Sequence, residues 1–246
     1  MLLEFVDYLR QLSLEDNTIR KIQKRFNAVL NEATRLKIND VLDYQHSDVL
    51  VSPVKQEKIY LNKDELDQVQ QVNLPFKERL DKVRDWLLLG VNTGLRISDL
   101  KRLNKDHIVD SSEGKILKVL LRKSKNMVSI SVNSIVDSIV CKYDGFPPRI
   151  SDQRFNEYVK ELCRMAGINK RVSKIEKGEQ VFYEKWQLVS SHICRRSFAT
   201  NAFKAGLHPK YLMPITGHIT VKQFMEYICI DDEENLLIVS KHAFFK

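Results

Sequence analysis

Residues 191–227 read SHICRRSFATNAFKAGLHPKYLMPITGHITVKQFMEY and contain most of the side chains that we expect to carry chemistry. His192 and Arg195 are three positions apart, so on a helix they share one face. A Gly-His dipeptide ends at His218, and Tyr227 lies nine residues beyond it. The intervening segment predicts a helix that returns the phenol toward His218. A histidine and an arginine that converge on one spot suit a phosphoryl group whose charge develops in the transition state.

A second pattern lies upstream, at residues 93–100, which read TGLRISDL. Gly94 permits a sharp turn between two helices. Arg96 then stands at the start of the second helix, where a guanidinium adds a bidentate donor to a position that already favours anions. Asp99 follows three residues later and could orient a nearby side chain. Each pattern alone also fits an ordinary helix junction, so the argument depends on their combination and order.

The N-terminal third predicts amphipathic helices. Residues 1–12 and 18–37 have apolar side chains at helical spacing, and Thr18 is the expected N-cap of the second helix. Asn62 and Glu65 have the spacing of a capping box and predict the start of a further helix.

The later segments add a small sheet to a mainly helical chain. A long apolar helix is predicted over 78–92. Residues 115–124 and 127–132 alternate and are rich in Val and Ile, so they predict a β-hairpin. From about residue 133 the chain reads as helical, with the basic segment 169–180 as a loop. The expected fold class is therefore α+β: mainly α with a small antiparallel β-sheet.

The charge is unevenly distributed along the chain. The net charge is +8, and residues 1–60 hold nine basic and nine acidic side chains, so the whole excess lies in residues 61–246. Residues 185–225 contain no carboxylate side chain. Such a stretch suits a surface that meets a phosphate backbone, and it equally fits a solvated face.

The cysteines and the hydropathy indicate the redox environment of the chain and whether it associates with a membrane. Four scattered cysteines without a CxxC pair favour neither a metal site nor a disulfide framework, and they indicate a reducing cytosol. The apolar N-terminus carries Glu4, Asp7 and Arg10 and therefore reads as an amphipathic helix, not as a signal peptide. No membrane association is expected.

Taken together, the patterns resemble the tyrosine recombinases (the phage-integrase family), and above all the integrases of conjugative transposons and related mobile elements. That family has an arginine in a TGLR-type turn, a lysine on a β-hairpin, an HxxR pair, a GH dipeptide and a tyrosine nine residues beyond that histidine. This chain has TGLR at 93–96, HICR at 192–195, GH at 217–218 and then Tyr227, in the family's order. The resemblance spans residues 58–246.

The resemblance implies a role for each matching side chain. Arg96, Arg195 and His218 would hold the scissile phosphate, and His192 would add a hydrogen bond and help to take the phenolic proton. Tyr227 would attack the phosphate to leave a 3′-phosphotyrosyl link. The lysine that protonates the leaving 5′-oxygen is best matched by Lys123, although Arg122 and Lys125 are its neighbours. Asp99 would support the site, and the residues expected to contact DNA are Lys125, Arg196, Lys204 and Lys210. Neither a metal ion nor another cofactor is implied.

The resemblance also implies a domain organisation and partners. Residues 1–50 would be a partial SAM-like core-binding helical domain, 51–57 a linker, and 58–246 the catalytic domain with its C-terminal tail. Because the family normally has further helices before this point, we expect the N-terminal domain to be incomplete. Double-stranded DNA would be the partner, with four protomers in the synaptic assembly and the tail docked in trans or packed on its own chain. The expected location is the bacterial cytoplasm.

Three functions fit these observations. The first is a site-specific recombinase that integrates or excises a mobile element. The second is a strand relaxer that resembles a type IB topoisomerase. The third is a DNA-binding fragment or regulator without complete catalysis.

Overall fold

The computed structural model describes residues 2–45, 50–54, 56–230 and 232–241. The described chain is mainly α-helical with two small β-sheets, which confirms the predicted fold class. The elements, in chain order, are α1 (Leu2–Gln11), α2 (Asp16–Arg35), α3 (Lys63–Gln71), α4 (Glu78–Thr93), α5 (Ile97–Leu100), β1 (Ile108–Ser111), β2 (Gly114–Leu120), β3 (Met127–Ser131), α6 (Ser134–Tyr143), α7 (Asp152–Met165), β4 (Arg171–Glu176), β5 (Glu179–Glu184), α8 (Ser191–Lys204), α9 (Pro209–Thr216), α10 (Val221–Tyr227) and α11 (Asp232–Lys241).

The chain divides into two compact units. One unit contains residues 1–57 and 172–183, and the other contains residues 58–171 and 184–246. Helices α1 and α2 form the small core of the first unit through Val6, Leu9 and Ile19. The two helices are short of apolar partners, so this core is thin.

Helix α2 begins earlier than the sequence predicts. It starts at Asp16, and the backbone N–H of Thr18 donates to the carbonyl of Glu15 at 2.8 Å, so Thr18 already lies inside the first turn. The prediction of Thr18 as the N-cap was therefore wrong. Asp16 in the first turn is favoured by the positive end of the helix dipole.

The basic segment 169–180 was predicted as a loop, and this was wrong. It forms most of a two-stranded hairpin, β4–β5. Lys177 and Gly178 both have positive φ, at 51° and 84°, which is the geometry of a type I′ turn and matches the twist of a hairpin. Val172 and Ile175 are β-branched residues that favour a strand, and the lysines of the segment obscured that preference.

Helix α4 is the centre of the second unit and packs against α6, α7 and α8. It is buried over most of its length, and Trp86 donates from Nε1 to the carbonyl of Pro148 at 3.0 Å. Gly90 allows α8 to approach closely, because a Cβ there would lie 2.7 Å from Cβ of Cys194.

The capping box predicted at Asn62 and Glu65 is present, with both of its hydrogen bonds.

The three-stranded sheet has the order β1-β2-β3 and is antiparallel throughout. The β2–β3 hairpin confirms the sequence prediction, whereas β1 was not predicted. Leu117 pairs with Ile130 and Val119 pairs with Val128, and all four side chains are buried on one face. The other face is more exposed and mixes Lys118 and Ser129 with Leu120 and Met127.

Of the described helices, none combines the length and the apolar character that crossing a bilayer requires. The C-terminal helix α11 begins at Asp232 and is anchored to the second unit by Glu234. The carboxylate of Glu234 accepts from Nζ of Lys204 and from the hydroxyl of Tyr60, both at 2.8 Å. Residues 242–246 of the predicted tail lie outside the described residues.

Candidate active site

The TGLR turn connects α4 to α5 through a left-handed residue. Gly94 closes α4 with φ of 65°, and its N–H donates to the carbonyl of Gly90 at 2.9 Å. A side chain at Gly94 would overlap the ring of Phe198 on α8. Arg96 follows in an extended conformation as the N-cap of α5. The turn therefore requires glycine both for its backbone angles and for its contact with α8, and it sets the direction of Arg96.

Arg195 reaches the same turn from α8. Its side chain is buried, and Nη1 donates to the carbonyl of Gly94 at 2.9 Å. Burial, together with the positive charge of Arg96, lowers the pKa of Arg195 to about 10. Two cations from motifs 99 residues apart in the sequence are thus held side by side. Their mutual repulsion is a cost that an anion between them would remove.

The two guanidinium groups lie against Gly217. A Cβ on Gly217 would be 3.1 Å from Nη2 of Arg96 and 3.4 Å from Nη2 of Arg195. Among the described residues, Nη1 of Arg96 and Nη2 of Arg195 are buried without a hydrogen-bond partner. Buried donors are nearly always paired, so these two nitrogens indicate a binding site for an oxyanion.

His218 and Tyr227 complete the cluster. Helix α10, capped by Thr220, returns the chain so that the two rings lie 4.7 Å apart between centroids. Burial raises the pKa of Tyr227, and the nearby charges of Arg196 and Arg195 oppose that effect. The phenolic oxygen is buried and has no hydrogen-bond partner among the described residues. The predicted nucleophile therefore lies beside the paired arginines with its hydroxyl unengaged.

The histidine ring is held by its own segment. Nδ1 of His218 lies 2.9 Å from Oγ1 of Thr216, and the ring contacts the edge of Phe224. Burial and the positive charges of Arg195 and Arg96 lower the pKa of His218. The ring is therefore neutral at neutral pH. The sequence interpretation assigned no role to the hydroxyl of Thr216, although the residue lies two positions before the histidine.

Arg196 lies over the nucleophile. Its guanidinium carbon is 5.5 Å from the centroid of the Tyr227 ring, and Nη1 donates to the carbonyl of Ile59 at 3.2 Å. The sequence interpretation placed this residue in contact with DNA. The structure also places it against the nucleophile in a cation–π contact, which the sequence did not indicate, and its contact with DNA stays a prediction.

Two predicted catalytic residues lie at the surface. His192 is exposed in the first turn of α8, and Lys123 is exposed in the turn between β2 and β3. Asp99 connects this turn to the arginine motif, because its buried Oδ1 accepts from the backbone N–H of Arg122 at 2.9 Å. Asp99 thus bonds to the backbone next to Lys123, and its supporting role in the site stays a prediction. The catalytic roles of His192 and Lys123 stay predictions.

The remaining predicted DNA contacts differ in their surroundings. Lys125 has φ of 58° in the β2–β3 turn and is exposed, and Lys210 is exposed in the first turn of α9. Lys204 is paired with Glu234, as described above, so its ammonium is neutralised within the chain. Lys185 is likewise buried against Glu65, with both carboxylate oxygens at 2.6 Å. Lys185 and Lys204, both in the stretch without carboxylates, therefore form ion pairs with carboxylates from other segments.

Among the described residues, no three histidine, cysteine or acidic side chains are grouped closely enough to hold a metal ion. The cluster presents a pair of unpartnered guanidinium nitrogens, a neutral imidazole and a phenol. Such a set can bind a phosphodiester and stabilise the negative charge that grows on it during attack by the phenol.

The arrangement of the second unit is that of the tyrosine recombinase catalytic domain, and comparison with solved structures confirms this class of fold. The resemblance read from the sequence is also confirmed. No known family profile matches the chain.

Individual proteins show the similarity in detail. The chain is 24% identical over 234 residues to the transposase of transposon Tn916 from Enterococcus faecalis, an alignment that covers 88% of this chain and 54% of that protein. It therefore spans about half the length of the curated relatives that it matches. The Tn1549 transposon integrase, solved in complex with circular intermediate DNA, superposes with a TM-score of 0.64 at 19% identity over 98% of this chain and 83% of that one. Lambda integrase, solved as a dimer on a core site, has a TM-score of 0.64 at 16% identity over 92% and 77%.

Proposed function

We propose that this chain cleaves and rejoins DNA as the catalytic part of a site-specific tyrosine recombinase of a mobile element. The observation that carries the proposal is the cluster of Arg96, Arg195, His218 and Tyr227. It combines two unpartnered guanidinium nitrogens with an unpartnered phenolic oxygen. These groups have the chemistry to bind a phosphodiester anion.

In the proposed reaction the phenolic oxygen of Tyr227 attacks the phosphorus of a DNA phosphodiester, and His192 would take the phenolic proton. The bond from phosphorus to the 5′-oxygen breaks, and the protein is left joined to the 3′-phosphate. Lys123 would give a proton to the departing 5′-oxygen. A 5′-hydroxyl from a partner strand then attacks the phosphotyrosyl bond and releases the phenol. The bond energy is conserved in the covalent intermediate, so strand exchange needs no nucleotide.

The partners and the division of the chain belong to the same proposal. Double-stranded DNA is the substrate, and four copies act together during strand exchange. Residues 1–50 act as a partial core-binding domain joined to residues 58–246 by the linker 51–57. The start of the tail contacts its own chain through Glu234, so a segment that docks on a neighbour would lie beyond that residue.

The experiment is a covalent trapping assay with nicked duplexes taken from the DNA that flanks the gene for this chain. Tyr227→Phe should abolish the protein–DNA band that the unaltered chain forms. The matched control is Tyr211→Phe, because Tyr211 is an exposed tyrosine on α9 and its loss should leave the band intact. A band that survives in Tyr227→Phe would refute the assignment of the nucleophile.

The same assay separates the alternatives. Salt-sensitive binding to every duplex without any covalent band would favour a DNA-binding fragment or regulator. A covalent band together with relaxation of supercoiled DNA, but without exchange between two duplexes, would favour a strand relaxer. Recombinant products joined between two duplexes are the result that the proposal expects.

A further inference from the structure

Arg196 and its neighbour Arg195 are held by different parts of the chain. Consecutive residues of a helix point about 100° apart, so the two guanidinium groups leave α8 in different directions. Arg195 donates to the carbonyl of Gly94, whereas Nη1 of Arg196 donates to the carbonyl of Ile59 at 3.2 Å. Ile59 is itself buried, in the segment that precedes α3. Arg196 is therefore anchored by that segment.

The same guanidinium lies against the ring of Tyr227. Its Cζ is 5.5 Å from the ring centroid, within the range of a cation–π contact. Nε of Arg196 is buried and, in the described part of the chain, has no hydrogen-bond partner. The guanidinium is therefore placed against two groups, the carbonyl of Ile59 and the face of the tyrosine ring. A cation–π contact strengthens where water is excluded, so the partly buried ring favours it.

The backbone around Tyr227 is held independently of Arg196. The N–H of Cys229 donates to Oγ1 of Thr200 on α8 at 3.3 Å. Ile228, next to the tyrosine, is buried in a core that includes residues of α8, α9 and α10. These contacts do not involve the side chain at position 196. A variant there should therefore affect the ring and its charge while the end of α10 stays in place.

The charge of Arg196 acts on the phenol as well as on the position of the ring. Burial raises the pKa of Tyr227, and the positive charges of Arg196 and then of Arg195 oppose that effect. In the proposed reaction the phenolic proton passes to His192 while the oxygen bonds to phosphorus, and negative charge grows on the phenol during this step. A ring that carries negative charge attracts a cation more strongly, so the contact stabilises the transition state more than the resting state.

We propose that Arg196 is a positioning residue for the nucleophile, which holds the ring of Tyr227 at the end of α10 and presents a positive charge to the phenol during its attack. The inference rests on the proposed function for the attack itself. Because this role lies inside the protein, its loss should slow cleavage at saturating protein and leave the affinity for DNA unchanged. Loss of a contact with a DNA phosphate would instead weaken binding and reduce its dependence on salt.

The first test is the titration of Tyr227 in the full chain without DNA, labelled with meta-fluorotyrosine and followed by ¹⁹F NMR. The ring fluorine lowers the pKa of the phenol into a range where the folded chain can be measured, and Tyr227→Phe identifies the signal by its loss. Arg196→Gln should raise the pKa of this phenol, and Arg196→Lys should raise it less. The charged and titratable groups around the phenol are Arg195, Arg196 and Cys194 from α8, His218 after α9 and Cys229 after α10.

Arg79→Gln is the matched control for this titration. Arg79 on α4 lies over the ring of Tyr158 on α7, with its Cζ 5.1 Å from the ring centroid, so the variant removes the same kind of contact from another pair. It should leave the pKa of Tyr227 unchanged. An unchanged pKa of Tyr227 in Arg196→Gln as well would overturn the proposal.

The second test is the single-turnover rate of covalent cleavage on a nicked duplex at saturating protein. Arg196→Gln should cleave about threefold to thirtyfold more slowly, a loss on the scale of one cation–π contact in partly desolvated surroundings. Arg196→Lys, which keeps the charge, should recover part of the rate, and Arg79→Gln should cleave like the unaltered chain. If Arg196→Gln cleaves normally at saturation but binds DNA more weakly and with a smaller salt dependence, the proposal is overturned in favour of a phosphate contact.

Two further outcomes separate this inference from the proposed function and from a failure to fold. If no protein forms a covalent band but the pKa of Tyr227 rises in Arg196→Gln, the proposed function fails while the placement of Arg196 over the ring stands. If Arg196→Gln does not fold, nuclear Overhauser effects between the side chain of Arg196 and the ring protons of Tyr227 in the unaltered chain decide the geometry. Their absence would overturn the proposal.

Discussion

Replacing Gly217 by alanine would test whether the paired guanidinium groups must lie where they do. The residue has φ of 58°, so any side chain there adopts a strained left-handed conformation that costs about 1–2 kcal/mol. The new Cβ would also lie 3.1 Å from Nη2 of Arg96 and 3.4 Å from Nη2 of Arg195. Both groups must then shift by a few tenths of an ångström. A misplacement of about 1 Å costs roughly a hundredfold in rate, so we expect covalent cleavage to fall about tenfold.

Gly167→Ala is the matched control, because Gly167 has φ of 75° and a Cβ there would have nothing within 4 Å. The two variants should lose similar amounts of unfolding free energy in urea, since both carry the same kind of backbone strain. Only Gly217→Ala should also slow the formation of the covalent band, measured on a nicked duplex at equal folded fractions. The reasoning is refuted if both variants cleave at the same rate.

Three further predictions concern the surroundings of this pocket. Asp99→Ala should lower the unfolding free energy by about 1–3 kcal/mol, because the N–H of Arg122 loses its acceptor; Asp99→Asn, which keeps an oxygen there, should lose less in the same urea titration. Lys210→Gln should reduce the slope of log affinity for DNA against log salt by about one, whereas Arg196→Gln should leave it unchanged; equal slopes would contradict their different placement. The pKa of His218 is lower in the folded chain than in the unfolded chain, so the unfolded chain binds more protons and the unfolding free energy falls as the pH drops through the pKa of the unfolded state. His218→Asn should reduce that fall between about pH 7 and 5. An unchanged dependence of the unfolding free energy on pH would refute this prediction.

Local features of the structure were predicted well from the sequence because they depend on neighbouring residues. The capping box at Asn62 needs only the side chain three residues later, and both of its bonds form. The left-handed turn at Gly94 follows from the conformational freedom of glycine. The β2–β3 hairpin follows from alternation. Where two local preferences competed, as at the start of α2 and in the hairpin β4–β5, the prediction failed.

The ion-pair partners of the charged residues could not be predicted from the sequence. Residues 185–225 contain no acid, and the sequence left a DNA-facing surface and a solvated face equally open. In the structure Lys185 meets Glu65, and Lys204 meets Glu234. Because an ion pair forms between residues that are distant in sequence, a window without carboxylates says little about the partners of its lysines.

The sequence by itself determined the fold class and the identity and order of the candidate catalytic residues. These follow from local periodicity and from motifs whose members are close along the chain. Only the tertiary structure decided that Arg195 bonds to the carbonyl of Gly94 and that Arg196 covers the ring of Tyr227. Each of these contacts depends on the close approach of helices or turns, and the distances and directions of such approaches are set by packing across the whole unit.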